Sequence, residues 1–484
     1  MKRLPARPNS GLRRKAALIA AVLALIVLAA GCAPPSSPPP PSPQTPATTQ
    51  PQATPTPEPG AIDPPPPPPV DRREASLLLY DTPGFTKLLQ KAIEVYKRQY
   101  PDVAVEFRTF GDLTDIGVLG PYYETMATEA AVGLGPDVSL RHALEFWPHP
   151  LDAGNYADLD AHLADDLDFN AALYQEGAIT AGYHRGQRLG FPLAFRSNVW
   201  LTTQEVLDDA DISLQAGGQS VQQLFWQMEA YRAAQDKPVL AAQIMGENLT
   251  SLIPWCGLRL ADYDAQTLMP DSPELRQIID GYKNLFFYDS VMREINRNSY
   301  GGLLEDGQCL FIKPASLTTL VMTYAALKTN STPVLVSAPS FDGRSVGVPT
   351  SFVLLKKDGE NQREAYNFLK VLLSEELQTS GLVADLPVLR SAFPLILKKT
   401  IETSCMPGRI VNSDGYTMTF AELTEDDLTA ITDTVYEVYA CALDLMPHLL
   451  SMAMVDYFEG ARSYEDCLAD FQNQMANELF FQLP

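Results

Sequence analysis

An abrupt change at Cys32 constrains the fold of this chain more than any other feature of its sequence. Residues 16–30 are all Ala, Leu, Ile or Val, and a proline-rich segment begins two residues after Cys32. Residues 33–70 contain 18 of the 40 prolines in the chain. Proline has no backbone N–H and favours an extended polyproline helix, so this segment forms a semi-rigid spacer instead of a packed core. The folded part of the chain must follow it.

The first 31 residues have the layout of a secretory signal peptide. Six cations and no acidic residue occupy residues 1–15, and the apolar run of residues 16–30 ends in small residues. That run is shorter than the roughly 20 residues that a membrane-spanning helix needs. The order of these regions therefore predicts an exported protein whose signal is removed.

The residues before Cys32 also resemble a bacterial lipobox, in which a small-residue pair is followed by Gly and Cys. The resemblance implies cleavage before Cys32 and acylation of its thiol. The sequence departs from the usual pattern because Ala29 replaces the commoner leucine, with Leu28 one place early. An ordinary secretory signal with an incidental cysteine, or an uncleaved anchor, is the alternative. We expect a lipid-anchored protein on the extracytoplasmic face of a bacterial cell membrane.

Residues 32–74 would then form a lipid-anchored, proline-rich tether. At about 3.1 Å per residue, residues 33–70 could span on the order of 100 Å. The tract could instead recruit a proline-binding domain, but a spacer is the favoured interpretation outside the cytoplasm. The sequence therefore predicts a signal peptide at residues 1–31, a tether at residues 32–74 and a folded domain at residues 75–484.

The folded domain is long and strongly acidic. Its roughly 410 residues exceed the 250–300 that a single core usually supports, so we expect two lobes. Without the six cations of the signal, 30 basic residues remain against 59 acidic ones, a net charge of −29. A body with this charge repels nucleic acid and anionic lipid head groups, so neither is an expected partner.

Five cysteines follow Cys32, namely Cys256, Cys309, Cys405, Cys441 and Cys467. Their number is odd and no CxxC spacing occurs, so the sequence indicates neither a zinc site nor a redox pair. An exported chain can form disulfides, and at least one of the five thiols must stay free or pair with another molecule. Cys309 and Cys441 lie in apolar contexts that predict burial, and we interpret all five as structural.

Hydrophobic periodicity along the domain predicts an α/β fold. Residues 75–80 form a short apolar run, and apolar residues recur at helical spacing from Phe85 to Tyr96. Alternation over residues 103–107 predicts a strand, residues 121–132 a helix, and the segment that begins at Gly135 another strand. This order is typical of βαβ units with a parallel sheet. The alternation continues to a last helix. Ser463 and Asp466 at the start of this helix resemble a capping box.

Several short segments of residues 75–484 occur in a recognisable order. They include "AIEVYKRQYPDVAVEF", "AAVGLGPDVSL", "QRLGFPLAFRSNVW", "PSFDGRSVGVPTSFVLLKK", "EAYNFLKVLLSEELQ", "LPVLRSAF" and "YFEGARSYEDCLADFQNQM". Together and in this order, they resemble the extracellular solute-binding proteins of ABC importers, in family 1, which includes carbohydrate binders. No single segment is specific, and the resemblance rests on their order and spacing along most of the domain.

The resemblance implies two α/β lobes joined by about three crossings, with a ligand cleft between the lobes. One lobe would hold about residues 75–195 and 349–392, and the other about 197–347 and 393–484. Such a receptor closes around its solute by a hinge motion and delivers it to an ABC permease in the membrane. This function needs no covalent chemistry, so we expect no enzyme activity, no cofactor and a monomer.

Candidate ligand-binding residues follow from the sheet and from the family pattern. Ligands of α/β sheets bind beyond the carboxyl ends of the strands, which here selects Asp81, Phe110 and Arg141. The resemblance adds residues beside the crossings and after later strands, namely Arg196, Asn198, Trp255, Lys313 and Phe341.

Sugar binders combine aromatic faces with planar polar groups, and the candidates contain both. Trp147 joins Phe110, Trp255 and Phe341 as an aromatic candidate, while Asp81, Arg196 and Asn198 could bridge hydroxyl groups. Arginines and a lysine near the cleft would also suit a solute with a carboxylate or phosphate. Trp226 is expected to pack within a helix, whereas Trp200 could face either side of its strand. The segment "VWLTTQE" departs from the family, in which tyrosines are common after this crossing.

Three other functions are alternatives to this one. A lipid-anchored hydrolase is disfavoured because the chain has five histidines but neither an HExxH nor a GxSxG motif. A calcium-binding module is disfavoured because "DDLDFN", residues 165–170, lacks the glycine and distal glutamate of an EF-hand loop. A receptor of the same fold that reports to a signalling protein is an alternative. The sequence of the receptor alone does not distinguish delivery to a permease from signalling.

Overall fold

The computed structural model describes most of the domain that follows the tether. Residues Glu74–Pro484 form one compact unit. The described residues are 76–111, 113, 116–143, 154–215, 218–235, 239–244, 249–262, 265, 267–268, 271–287, 304, 306–408, 410–413, 416–441 and 446–481. The predicted signal peptide, the tether with Cys32, and Trp147 lie outside them. Within these described ranges, no helix is both long and apolar enough to cross a membrane.

The strands are, in chain order, β1 Ser76–Tyr80, β2 Ala104–Arg108, β3 Val138–His142, β4 Tyr183–His184, β5 Gln187–Arg188, β6 Phe191–Ser197, β7 Val199–Thr203, β8 Leu240–Ile244, β9 Ala261–Asp262, β10 Thr267–Leu268, β11 Cys309–Lys313, β12 Pro333–Ser337, β13 Val346–Leu355, β14 Leu386–Pro387, β15 Ile410–Ser413, β16 Tyr416–Thr419 and β17 Ala440–Cys441.

The α-helices are α1 Thr86–Gln99, α2 Ile116–Ala131, α3 Leu159–Asp165, α4 Glu176–Ile179, α5 Gln204–Asp209, α6 Val221–Ala234, α7 Leu249–Trp255, α8 Pro273–Leu285, α9 Leu317–Leu327, α10 Gln362–Leu372, α11 Glu375–Gln378, α12 Ala392–Ser404, α13 Glu425–Ile431, α14 Met446–Ala453, α15 Val455–Phe458 and α16 Tyr464–Phe481. A 3₁₀ turn covers Ala171–Leu173, and a π-helical turn covers Thr432–Tyr436.

The larger sheet, called the large sheet below, has seven strands in the order β14-β6-β13-β3-β1-β2, with β17 paired to β13. Strand β1 runs parallel to β2 and β3, which confirms the predicted parallel βαβ units. Strand β13 runs antiparallel to both β3 and β6. The carboxyl ends of β1, β2, β3 and β6 therefore lie along one edge of the large sheet.

The second main sheet, called the small sheet, has four strands in the order β12-β7-β11-β8. Strand β11 is parallel to β8, while β7 is antiparallel to β11 and β12. The chain passes from the large to the small sheet through Asn198 alone, and it returns through residues 338–345. The two passages are connected, because the Ala338 N–H donates to the Asn198 carbonyl oxygen at 2.8 Å.

Alternating side chains bury both faces of the small sheet. In β7, Val199 and Leu201 belong to the hydrophobic cluster that continues into the large sheet, whereas Trp200 belongs to the cluster on the opposite face. The Trp200 ring lies 5.5 Å from the Phe311 ring and 6.1 Å from the Phe286 ring. Trp200 is thus a fully buried core residue.

The structure corrects two predictions about helices. Trp226 was expected to pack, but its side chain is 67% exposed. The buried residues of α6 recur at helical spacing from Val221 through Phe225 to Met228, and Trp226 is turned about 100° away from Phe225. Helix α2 begins at Ile116, five residues before the predicted start, with Pro121 inside it. Because Pro121 lies in the second turn, its missing N–H removes one intrahelical hydrogen bond without ending the helix.

The five cysteines after Cys32 are all buried and free of disulfide bonds. Burial in apolar surroundings raises the pKa of the Cys309 thiol and of the Cys441 thiol above the ordinary value of a cysteine. These thiols therefore stay protonated and pack as small apolar groups, as their sequence contexts predict.

The acidic stretch of residues 165–170 makes structural contacts. Asp166 accepts a hydrogen bond of 2.8 Å from the Tyr366 hydroxyl and lies 3.1 Å from the Lys370 ammonium. Asn170 caps the 3₁₀ turn that follows. Nowhere in the described ranges do three or more His, Cys, Asp or Glu side chains come together in a way that could hold a metal ion.

A buried carboxylate joins α13 to α9. Asp427 accepts from the Thr424 N–H at 2.6 Å and from the Tyr324 hydroxyl at 3.0 Å, and it pairs with the Lys328 ammonium. Burial opposes ionisation of Asp427, but these contacts outweigh it and hold the pKa of the carboxyl group below its ordinary value. The ionised form of Asp427 is therefore stabilised by folding.

We expect Asp427→Asn to lower the free energy of unfolding at pH 7 by about 2 to 3 kcal/mol, because Lys328 loses its partner. Since folding lowers the Asp427 pKa, its contribution is present above the unfolded value of about 3.9 and is lost as the pH falls through the folded value. Urea unfolding at pH 7 and pH 3 measures this difference. The exposed neighbour Asp426 provides the control, and Asp426→Asn should cost about 0.5 kcal/mol. Equal losses in the two variants would contradict the assignment.

Candidate functional site

A cavity of about 620 Å³ lies where the chain crosses between the two sheets. We call it the inter-sheet cavity. It is bounded by the carboxyl end of β6, the start of β7, the carboxyl end of β11, the start of α9, the segment before β14, and α12. Its lining residues include Arg196, Ser197, Ser251, Trp255, Lys313, Ser316, Thr318, Thr379, Asp385, Lys399, Thr400 and Thr403.

The wall formed by the small sheet pairs a tryptophan with a lysine. Lys313 is the last residue of β11, and Trp255 is the last residue of α7, the helix that follows β8. The Lys313 ammonium lies over the Trp255 ring, 3.6 Å from its centroid, which is a cation–π contact. Trp255 is 6% exposed, and its indole N–H has no hydrogen-bond partner among the residues that the structure describes.

The wall formed by the large sheet contains an arginine and an aspartate. The Arg196 Nε and Nη2 atoms lie 2.9 and 2.7 Å from the same Asp385 oxygen. Asp385 adopts the left-handed backbone conformation with φ 66°, and it immediately precedes β14, which pairs with β6. The sheet pairing therefore places the Asp385 carboxylate beside the end of β6.

The remaining walls supply hydroxyl groups and one more cation. Ser316 caps α9 in a capping box with Thr319, and α12 contributes Lys399, Thr400 and Thr403. Among the lining residues that the structure describes, Asp385 is the one carboxylate, and none is a histidine or a cysteine. The arrangement can therefore bind a polar molecule through hydrogen bonds and charge.

Three of the predicted site residues, Arg196, Trp255 and Lys313, line the inter-sheet cavity. Asn198 lies beside it, in the one-residue passage between β6 and β7. Asn198 is 1% exposed, and neither polar atom of its amide has a partner among the described residues. Phe341 lies in the second passage, where it is partly buried against the core and its N–H donates to the Cys256 carbonyl oxygen at 3.1 Å.

Asp81, Phe110 and Arg141 do not line this cavity. Asp81 follows β1 and Phe110 follows β2, while Arg141 is the penultimate residue of β3, inside the strand after which it was predicted to lie. All three lie near the same edge of the large sheet as Arg196. The Asp81 side chain is buried, and its Oδ1 atom has no partner in the described part of the chain. Phe110 packs edge-on against Tyr80 and Tyr122, and the Arg141 guanidinium donates to the Tyr156 hydroxyl at 2.8 Å.

The edge of the large sheet is long enough to contact an extended molecule. Four strand intervals separate β6 from β2 in the sheet order. At about 4.8 Å per interval, Arg196 and Phe110 lie on strands about 19 Å apart. The predicted residues of the large sheet are therefore spread along a row and do not form one cluster.

Sequence reasoning missed Asp385, Lys399 and Ser251 as residues of the inter-sheet cavity. Asp385 precedes the segment "LPVLRSAF", and Lys399 lies on the helix that follows that segment. The segment was recognised as part of the family pattern, but it has no strand periodicity that would point to a site. Its pairing with β6, about 190 residues earlier, is what brings Asp385 to Arg196.

The structure is similar to several solved structures at low sequence identity. One is the sugar-binding protein MalE of Xanthomonas citri, with a TM-score of 0.59, 12% identity, and coverage of 84% of this chain and 98% of that protein. Another is an extracellular solute-binding protein of family 1 from Alicyclobacillus acidocaldarius, with a TM-score of 0.54, 13% identity and coverage of 84% and 98%.

A third similar structure is the cyclic alpha-maltosyl-1,6-maltose binding protein of Arthrobacter globiformis, with a TM-score of 0.51, 14% identity and coverage of 84% and 98%. No protein-family model matches the sequence, and no curated protein sequence is similar to it. The structural similarities show the fold, which has two α/β lobes with a ligand cleft between them.

Proposed function

We propose that this two-lobed chain is a membrane-anchored extracellular receptor that binds a sugar or oligosaccharide and delivers it to an ABC permease. The observation that supports this function best is the inter-sheet cavity, where residues after strands of both sheets meet beside the crossing. In α/β proteins, ligands bind beyond the carboxyl ends of strands at such a junction. The names of the similar structures, which describe binding of sugars and a cyclic maltosyl-maltose, support a saccharide as the solute.

Arg196 and Asp385 contact the solute from the large sheet in this proposal, while Lys313 and Trp255 contact it from the small sheet. A solute that touches both walls stabilises the arrangement in which the walls are close together, so binding and closure are coupled. The hydroxyl groups of Ser251, Ser316 and the α12 threonines supply hydrogen bonds to the ring hydroxyls of the sugar.

The row along the edge of the large sheet would bind further units of an oligosaccharide. In the sheet order, Arg141 on β3 is nearest to Arg196, Asp81 after β1 is farther away, and Phe110 after β2 is the farthest. Because the row spans about 19 Å, it suits a chain of several sugar rings better than a single ring. Trp147 and Phe341 are further candidates for aromatic contacts in this proposal.

The anchor is a separate part of the proposal, and it rests on Cys32. We expect Cys32→Ser to abolish lipid attachment and to release the protein into the soluble extracytoplasmic fraction. Fractionation with immunoblotting measures this release, together with incorporation of a labelled fatty acid at Cys32. Retention of the variant in the membrane would indicate an uncleaved anchor and would contradict acylation.

Ligand binding is tested by a thermal-shift screen of the purified mature chain, residues 32–484, against mono- and oligosaccharides, amino sugars, sugar acids, sugar phosphates and short peptides. A ligand at 100 times its dissociation constant adds about 2.7 kcal/mol to the free energy of unfolding, which raises the melting temperature visibly. We expect at least one saccharide to produce this shift. If no saccharide raised the melting temperature and a peptide did, the result would contradict the proposed solute class.

A further inference from the structure

We propose that the inter-sheet cavity binds the end of an oligosaccharide, and that Arg196 and Asp385 hold two adjacent hydroxyl groups of its terminal unit. This inference rests on the receptor function proposed above and specifies which part of the saccharide the cavity selects. Three observations carry it: the free atoms of the Arg196–Asp385 pair, the backbone conformation of Asp385, and the position of the pair at one end of the large sheet.

The contact between Arg196 and Asp385 uses only part of each side chain. Both Nε and Nη2 of Arg196 lie against the same Asp385 oxygen, Oδ1, at 2.9 and 2.7 Å. Within the described ranges, the second carboxylate oxygen, Oδ2, and the third guanidinium nitrogen, Nη1, make no hydrogen bond. The Arg196 side chain is 52% exposed and that of Asp385 is 20% exposed, and both line the cavity. A solute therefore meets one free acceptor and one free donor.

Two adjacent hydroxyl groups fit these two free atoms. A hydroxyl can both donate and accept, so one hydroxyl can donate to Oδ2 of Asp385 while its neighbour accepts from Nη1 of Arg196. Each of these hydrogen bonds has one ionised partner, which makes it stronger than a bond between neutral groups. The ion pair has no net charge, so a charged group on the solute would lie beside a like charge as well as an opposite one. The pair therefore favours a neutral diol, which sugar rings contain.

The backbone holds the two side chains beside each other before a solute binds. Asp385 has φ 66°, in the left-handed region, which aspartate tolerates better than most residues other than glycine. Leu386, the next residue, pairs with Phe195 of β6. Arg196 itself pairs with Val348 of β13. A pair that is already in position loses less conformational entropy when it binds a solute.

The Arg196–Asp385 pair lies at one end of the large sheet. Strand β14 is the outermost described strand on this side, and it pairs antiparallel to β6. Residues 379–385 precede β14, so they lie at the same edge as Arg196 and one strand beyond it. Part of this segment lines the cavity together with α12. In the other direction the sheet continues through β13, β3, β1 and β2. A solute that extends along the edge therefore has its last unit at Arg196 and Asp385.

The test is isothermal titration of the mature chain with neutral, linear hexasaccharides of glucose, galactose, mannose and xylose. Each is compared with a partner in which the hydroxyl groups of both terminal units are methylated, while the interior units keep their adjacent hydroxyls. We expect at least one hexasaccharide to bind. Its end-methylated partner should bind about tenfold or more weakly, because two hydrogen bonds to charged groups are lost.

Asp385→Asn connects this loss to the proposed residues. Asparagine keeps the size of the side chain and tolerates the left-handed backbone, but it removes the carboxylate charge. The variant should bind the unmodified hexasaccharide about tenfold more weakly, and end methylation should then change its affinity by about threefold or less, because both changes remove the same contact. Asp358→Asn is the matched control. Asp358 is exposed and also left-handed, with φ 54°, but it does not line the inter-sheet cavity, so both affinities should stay unchanged.

Three outcomes would overturn the inference, and they differ in what they leave standing. Equal affinity for a hexasaccharide and its end-methylated partner would reject recognition of the end but keep the receptor function. A loss on end methylation that is just as large in Asp385→Asn would reject the role of Arg196 and Asp385. Binding of no saccharide would reject both proposals. The melting temperature of each variant verifies that it is folded, and the comparison of the two saccharides in the unsubstituted protein does not depend on any variant.

Discussion

Trp255→Ala is expected to weaken solute binding by the mature chain about 100-fold or more. Central, buried tryptophans commonly account for 2 to 4 kcal/mol of binding, and here the ring also positions the Lys313 ammonium. Removal of the ring would delete the cation–π contact of that ammonium and would enlarge the cavity. Trp255 belongs to neither of the two large hydrophobic clusters, so we expect a stability loss of no more than about 3 kcal/mol and a chain that still folds.

Trp226→Ala is the matched control for this prediction. Trp226 is 67% exposed on the outer face of α6, so its removal should change neither the affinity nor, by more than about 0.5 kcal/mol, the free energy of unfolding. Isothermal titration and urea unfolding of both variants measure the two effects separately. If Trp255→Ala bound the solute within a few-fold of the unsubstituted protein, Trp255 would not be part of the binding site.

Gly177→Ala is expected to lower the free energy of unfolding by about 3 kcal/mol or more, although it adds a single methyl group. The added Cβ would lie 2.3 Å from the Val438 carbonyl oxygen, 2.7 Å from the Tyr439 carbonyl carbon and 2.9 Å from the Ala440 nitrogen. All three atoms are backbone, so no side-chain rotation relieves the contacts. The same Val438 oxygen accepts a 2.8 Å hydrogen bond from the Gln175 amide, which the methyl group would also disturb.

Gly154→Ala is the control, because nothing lies within 4 Å of the Cβ that it would add. Its expected effect is less than about 1 kcal/mol in either direction. Urea unfolding followed by circular dichroism compares the two alanine variants with the unsubstituted chain. A loss below 1 kcal/mol for Gly177→Ala would show that α4 and the segment before β17 can separate at little cost.

The sequence predicts those parts of the fold in which local periodicity and burial agree. Helix α1 buries Leu88, Leu89, Ala92 and Tyr96, whose spacing predicted the helix, and it also buries Val95. The predicted start of the last helix is confirmed as well, because the Asp466 N–H donates to the Ser463 hydroxyl at 3.1 Å. In these elements the residues that determine the structure are neighbours in the sequence, so a short window contains the information.

The site is harder to predict because its contacts join distant parts of the chain. Arg196 and its partner Asp385 are 189 residues apart in the sequence, and no local pattern relates them. Trp226 shows the same limit within one helix. Phe225 and Trp226 are both large and aromatic, and only the phase of the buried stripe, set by tertiary packing, turns one inward and the other outward.

The narrow passage between the two sheets has a mechanical consequence for the walls of the inter-sheet cavity. Pairing of β6 with β13 continues to Ser197 and Gly347, and the Ala338 N–H then ties the second passage to Asn198. These two adjacent, hydrogen-bonded segments restrict twisting and sliding of one sheet relative to the other more than they restrict bending at the passage. Because Arg196 lies near the end of its strand, two residues before Asn198, a change in the backbone angles of the buried Asn198 would move the Arg196 wall of the cavity relative to the Lys313 wall.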